Sequence, residues 1–298
     1  MISQQQLSIL YQQACEMELQ AFKPGNVSVY ADGHDMTVAD FRISAKVSAV
    51  ALCNSDYSLG EKIYYAVQAT KTAVACNTNL GIILLCAPLI QAISKIKLGV
   101  TLRQALHQVL IETTLEDASW VFKAIMLASP GGLGHADNQD VSEPPSITLI
   151  EAMRLSSHKD RIALQYVSNY QDIFDFAVPI HYNAILKSTH PKWAALSVYA
   201  ALLSHFPDSH IERKYGKQYS EMVTKRMSIV SSELSKADIP EQILPLLNSV
   251  DQEFKAKGLN PGTMADMTVA TVFTAFLEEV INLTLHNKNL PISMIGSK

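Results

Sequence analysis

The sequence predicts an all-α fold: a single multi-helix domain, built as an orthogonal bundle, over residues 1–286, with a C-terminal tail at 287–298. Three observations carry this. Apolar residues recur at three- and four-residue steps through most of the chain, the spacing that lines one face of a helix. Helix starts are written in side-chain chemistry, a Thr or Asn ahead of the run and an acid or Gln three residues on. No alternating apolar–polar pattern of strand type competes.

The elements follow in order. Leu7, Leu10, Tyr11, Ala14, Met17 and Ala21 mark a helix over 3–22 that stops at Pro24-Gly25. Thr37-Val38-Ala39-Asp40 has the form of a capping box, and Phe41, Ser44, Ala45, Ala49 and Leu52 continue on one face. A helix over 60–76 comes next, and Asn77-Thr78-Asn79 caps the apolar run Gly81–Ile93. That run contains Pro88 and Gln91, is too short to span a bilayer, and reads as a buried helix. Thr101-Leu102-Arg103-Gln104 and Thr114-Leu115-Glu116-Asp117 open two more helices. The stretch Ser129–Ser146 is long and irregular, a length more often functional than idle. Helical patterning resumes at 147–155, 161–170, 173–186, 193–206, 209–235, 240–257 and 261–280, with Gly258 suited to a C-cap.

Composition narrows the function classes. A net charge of −4 and a pI near 6.1 argue against a broad basic surface for nucleic acid. With 48% hydrophobic and 17% charged residues, the chain is not of disordered type. The N-terminal MISQQQLSILYQQ has no basic region or apolar stretch of signal-peptide form, so a cytoplasmic location is expected. Cys15, Cys53, Cys76 and Cys86 lack C-x-x-C spacing and sit in apolar segments, as reduced core thiols do.

The polar loops carry the chemistry. Lys23-Pro24-Gly25-Asn26 sets a cation and a tight turn behind a helix, suited to phosphate, although a plain helix stop reads the same way. Gly33-His34-Asp35 offers an acid/base pair or metal ligands, against an Asx turn as the plain alternative. Asp40 reads as a cap. Asn260-Pro261-Gly262-Thr263 starts a helix with room for an anion, and Asp266 lies one turn inside on the face of Thr263. Asp208-Ser209-His210 begins a helix carrying Arg213 and Lys214, and the central loop adds Asp137 and Asp140. Helix ends converging on a phosphate- and metal-bound substrate are the economical reading of the set.

Taken together, E-x4-KPGNV at 18–27, GHDM followed by DF and S at 33–44, NTN-x-G at 77–81 and NPGTMAD at 260–266 resemble the triphosphoribosyl-dephospho-CoA synthase family. PGGLG-x-x-D-x-x-DV-x-x-P, L-x-E-A-M and D-R-I-A-x-x-Y resemble its divergent archaeal and methylotroph branch. Family members usually carry T-H-K-G where Thr78-Asn79-Leu80-Gly81 stands, and D-T-N where Asp208-Ser209-His210 stands. The resemblance implies an all-helical enzyme that moves the triphosphoribosyl group of ATP to a ribose hydroxyl of dephospho-CoA, or of a related cofactor precursor, with release of adenine.

Such a transfer passes through an oxocarbenium-like transition state, which calls for carboxylates at the reacting carbon and cations at the phosphates. The expected catalytic residues are Asp35, His34 and Asp266. Substrate contacts are expected from Lys23, Asn26, Asn77, Thr78, Asn79, Arg213, Lys214, Asn260, Gly262 and Thr263. Mg²⁺ is expected on Asp35, Asp140 and Asp208, since hard cations take oxygen ligands. The partners are small-molecule nucleotides rather than nucleic acid or membrane, and a homodimer is compatible with the sequence. Two alternatives stay open: a metal-dependent nucleotide phosphohydrolase, and a non-catalytic helical protein that binds nucleotide.

Overall fold

The structure is a computed structural model that describes residues 2–31, 36–129, 140–187, 190–237 and 239–288, with side chains through 284. Among the described residues there is no strand, only one isolated bridge between Ser28 and Ala31, and the elements are helices.

The cap chemistry sets the helix starts. Helices α1 (Gln4–Gln20), α2 (Val38–Leu52), α3 (Leu59–Val74), α5 (Leu102–Ile111) and α6 (Leu115–Ala128) each begin behind a closed capping box. At α2 the Thr37 N–H donates to the Asp40 carboxylate at 2.8 Å, and the Thr37 hydroxyl accepts the Asp40 N–H at 3.3 Å. Two otherwise unpaired N–H groups are thereby satisfied. Helix α4 (Leu80–Ala92) starts differently. Asn79 stands at its N-cap without capping, and Asn77 Oδ1 accepts the Leu80 N–H instead.

Three segments depart from the sequence reading. The helix expected over 209–235 is two, α11 (Ser209–Tyr215) and α12 (Lys217–Lys236), because Gly216 between them takes φ of 92°. Apolar periodicity continues across that glycine, so only its backbone dihedral reveals the break. Residues 172–177 form a π turn ahead of α9 (Val178–Lys187), and 240–243 a 3₁₀ turn ahead of α13 (Leu244–Ala256). The expected tail boundary at 286 falls inside α14 (Gly262–Lys288), and 289–298 lie outside the described residues. The remaining helices are α7 (Leu149–Ser156), α8 (Arg161–Val167) and α10 (Pro191–His205).

Two central helices organise the core. In α4 nearly every residue is buried, as expected for a helix apolar on all sides. Its Pro88 lacks an N–H and so leaves the Leu84 carbonyl without its helical partner. Tyr166 on α8 donates to that carbonyl at 2.7 Å, and Tyr170 donates to Leu85 O at 2.9 Å. The second central helix, α14, packs on α1, α4, α9 and α10. Its buried Thr268, Thr271 and Thr274 satisfy their hydroxyls on the carbonyls four residues back, so threonines sit in the core without orphaned donors. The N-terminal ends of α4 and α14 therefore come close to the C-terminal end of α1, and the polar loops gather there.

Candidate active site

A cavity of about 560 Å³ opens between these helix ends. Its inner wall comes from Glu18 at the end of α1, from Thr78 and Gly81 at the start of α4, and from Asp266 in α14. Its mouth carries His158, Lys159 and Asp160 from the turn before α8, His210 and Arg213 from α11, and Asp140. Met153, Ile125 and Leu80 supply an apolar side.

The inner wall is held by buried polar bonds. Lys23 and Glu18 pair at 2.5 Å, with side chains only 1% and 4% exposed. The Lys23 ammonium also donates to Asn26 Oδ1 at 2.8 Å and to Val27 O at 2.6 Å. Three partners use all three of its protons. Asn26 in turn donates to Asn260 Oδ1 at 2.7 Å, and the Gly25 N–H donates to Asp251, so the loops at 23–26 and 260–263 are fastened to each other. Burial pushes the Lys23 ammonium below its ordinary range, while Glu18 pulls it back up. Burial pushes the Glu18 carboxyl up, and Lys23 opposes this.

Asp266 stands apart. Among the described residues it makes no hydrogen bond or ion pair, and it faces the cavity beside Glu18. Desolvation, and then the neighbouring carboxylates of Glu18 and Asp208, push its carboxyl well above the usual range. A carboxyl whose hold on its proton is strengthened in this way suits an acid/base role.

The mouth is arranged by two helix caps. Asp160 accepts the Ile162 and Ala163 N–H groups at 2.9 and 3.0 Å, and its other oxygen meets Arg213 at 3.1 Å. Among the described residues the buried Arg213 Nε has no hydrogen-bond partner. Asp208 accepts the Ile211 N–H at 3.1 Å and the Met264 N–H at 3.0 Å, joining the starts of α11 and α14. Burial pushes its carboxyl up to about 6.

Of the residues expected from sequence, Asn26, Asn77, Thr78, Asp140, Arg213, Asn260, Gly262, Thr263 and Asp266 line this one cavity. Four do not. Lys23 sits behind the wall with its donors used inside the protein, which differs from the phosphate-capturing role expected of it. Asn79 is buried and donates to Ser48, so it shapes the loop rather than the cavity surface. Lys214 lies over the ring of Tyr215, 5.2 Å from its centroid. The Asp208 oxygens are taken by backbone N–H groups, which leaves them unsuited to a metal. His34 and Asp35 lie outside the described residues, next to Met36, which lines the cavity.

No group of three or more His, Cys, Asp or Glu side chains able to hold a metal ion occurs among the described residues. Among the described residues the donors there form no Mg²⁺ cage, and Asp140 Oδ1 is already engaged with the Ser142 N–H and hydroxyl.

Sequence reasoning passed over Glu18, His158, Lys159, Asp160 and His210 as site residues. Glu18 had a signal, since it continues the apolar stripe of Tyr11 and Ala14, where a carboxylate is out of place. Of the others, His158, Lys159 and Asp160 sit on the turn before α8 and His210 at the start of α11, and their meeting is a tertiary event.

Carboxyls against a closed inner wall and cations at the mouth of a helical cavity define a small-molecule site rather than a macromolecular surface. The family model for ATP:dephospho-CoA triphosphoribosyl transferase (CitG) matches residues 4–284, and the chain belongs to that family. It is 25% identical over 142 residues to a protein of Streptococcus mutans designated a 2-(5''-triphosphoribosyl)-3'-dephosphocoenzyme-A synthase. That alignment covers 44% of this chain and 47% of the relative, so it spans about half of the relative's length. A crystal structure from Archaeoglobus fulgidus, described as a triphosphoribosyl-dephospho-CoA synthase, shares the fold. Its TM-score is 0.62 at 24% identity, covering 79% of this chain and 97% of that one. Among the described residues no helix is long and apolar enough to cross a membrane. The cysteines are free, with Cys15, Cys53 and Cys86 buried.

Proposed function

We propose that this protein transfers the triphosphoribosyl group of ATP to a ribose hydroxyl of dephospho-CoA, or of a related cofactor precursor, and releases adenine. The observation that carries the reading is the polarity of the family-matched cavity, with Asp266 and Glu18 inside and Lys159 and Arg213 at the mouth. In this reading the triphosphate lies toward the mouth, where the part-exposed guanidinium of Arg213 and the Lys159 ammonium meet its oxygens. The ribose then points inward. The bond from C1′ to the adenine nitrogen breaks as the bond from C1′ to the acceptor oxygen forms, and the hydroxyl proton leaves through Asp266 to the departing base. Glu18, close to the same carbon, offsets the positive charge that develops there. Asn26, Asn77, Thr78, Asn260, Gly262 and Thr263 are positioned to orient the sugar. Asp35 and His34 are further candidates, on the strength of their place beside Met36. Any Mg²⁺ arrives with the ATP phosphates, and no step here is routed through it.

The test is mass spectrometry of ATP incubated with dephospho-CoA and with other hydroxyl acceptors. Adenine together with a triphosphoribosylated acceptor is the expected result. Inorganic phosphate without adenine would mean phosphohydrolysis, and tight ATP binding without any product would mean a binding protein. Size-exclusion chromatography and cell fractionation check the homodimer and the cytoplasmic location.

A further inference from the structure

Gly81 is the second residue of α4, where glycine is a poorer helix former than alanine. A side chain there would meet Asp266. A Cβ built on Gly81 overlaps Asp266 Oδ2 and comes within 2.6 Å of its Cγ. The other near atom is the tip of Ile162, at 2.8 Å, a flexible apolar end that can turn aside. The carboxylate thus occupies the space a side chain at 81 would take. It lies against the first turn of α4, where the cap residue Asn79 makes no side-chain bond to the helix and the helix dipole favours a negative charge. With no hydrogen bond or ion pair of its own among the described residues, Asp266 is placed by shape rather than by partners.

The geometry points to Gly81 as the positioning residue for Asp266: its missing side chain lets the carboxylate stand in the cavity at the depth of Glu18. This rests on the reading of Asp266 as the proton-transferring group. It also accounts for a glycine at a helical position that local preference would give to alanine.

The experiment is a double-mutant cycle on the full-length protein with Gly81→Ala, Asp266→Ala and the pair, following both denaturant stability and the transfer reaction. In the Asp266→Ala background, Gly81→Ala should raise stability, because the helix gains alanine and only the movable tip of Ile162 must give way to the methyl. With Asp266 present the same change should gain less or lose stability. Gly81→Ala alone should lower kcat by roughly tenfold to a hundredfold, as a small displacement of a catalytic group does, with KM for ATP changed by no more than about twofold. The pair should be no slower than Asp266→Ala. Additive stabilities, or a wild-type kcat in Gly81→Ala, would overturn the inference. If the wild-type protein transfers nothing to any acceptor, the functional reading falls, and the stability cycle still decides whether Gly81 holds the carboxylate.

Discussion

The inner wall and the mouth of the cavity are both charged, yet they are built in opposite ways. At the wall, Lys23 and Glu18 are sealed from solvent and every proton of the lysine is spent inside the protein. At the mouth, Arg213 and Asp160 remain 25% and 29% exposed, so part of the guanidinium faces solvent. A buried pair cannot exchange partners without leaving a bare charge in a low-dielectric interior, so it fixes geometry. A half-exposed pair in partial solvent costs little to rearrange, so it can hand a donor to a ligand. Cationic character alone therefore does not mark a phosphate ligand here; donors open to the cavity do.

The contrast can be broken most forcefully at Asp266, the one inner-wall acid with no partner among the described residues. Asp266→Asn should lower kcat for adenine release by about 10²–10⁴-fold, the usual scale of general acid–base catalysis, while ATP still stabilises the protein in a thermal-shift titration. A near-normal rate would remove Asp266 from the chemistry. Lys23→Met comes next, and its effect should fall on stability. Stranding the buried Glu18 carboxylate costs about 3–5 kcal/mol, visible as a lower urea midpoint, and adding Glu18→Gln should recover part of it. If Lys23→Met weakened ATP binding without destabilising the fold, the wall and the mouth would not differ as described.

Smaller effects belong to the mouth. Lys159→Ala and Arg213→Ala should each raise KM for ATP by roughly tenfold to a hundredfold, since a charge-assisted contact to phosphate contributes about 1.5–3 kcal/mol. Lys214→Ala should leave KM where it is, because that ammonium lies over Tyr215. The smallest effect expected is a pH dependence of stability. The Asp208 carboxyl sits at about 6 in the folded protein against an ordinary 3.8. The folded state therefore binds the proton more tightly, and Asp208's contribution to stability is full below about pH 4 and lost as pH rises through about 6. The stability difference between the wild-type protein and Asp208→Asn should change across that window and level off above it. A difference that stays constant with pH would mean Asp208 keeps an ordinary carboxyl.

The sequence alone determined the helices, because their signals are local. The Thr37–Asp40 box, the apolar stripe of α1 and the largely apolar α4 each act within a few residues of themselves. Membership of the helix starts in one polar region was also legible, since Asn26, Thr78 and Asn260 stand at breaks in those patterns and Asp266 lies one turn inside the last. The break at Gly216 was not, because a backbone dihedral leaves apolar periodicity unchanged. Only the tertiary structure decided which charges face the cavity. Lys23 and Lys214 read alike along the chain, but one is enclosed by Glu18, Asn26 and Val27 and the other lies over an aromatic ring, while Lys159, with no motif to mark it, reaches the mouth. A side chain's role depends on what surrounds it after packing, and those surroundings come from residues as far as 226 positions away, as the bond from Gly25 to Asp251 shows.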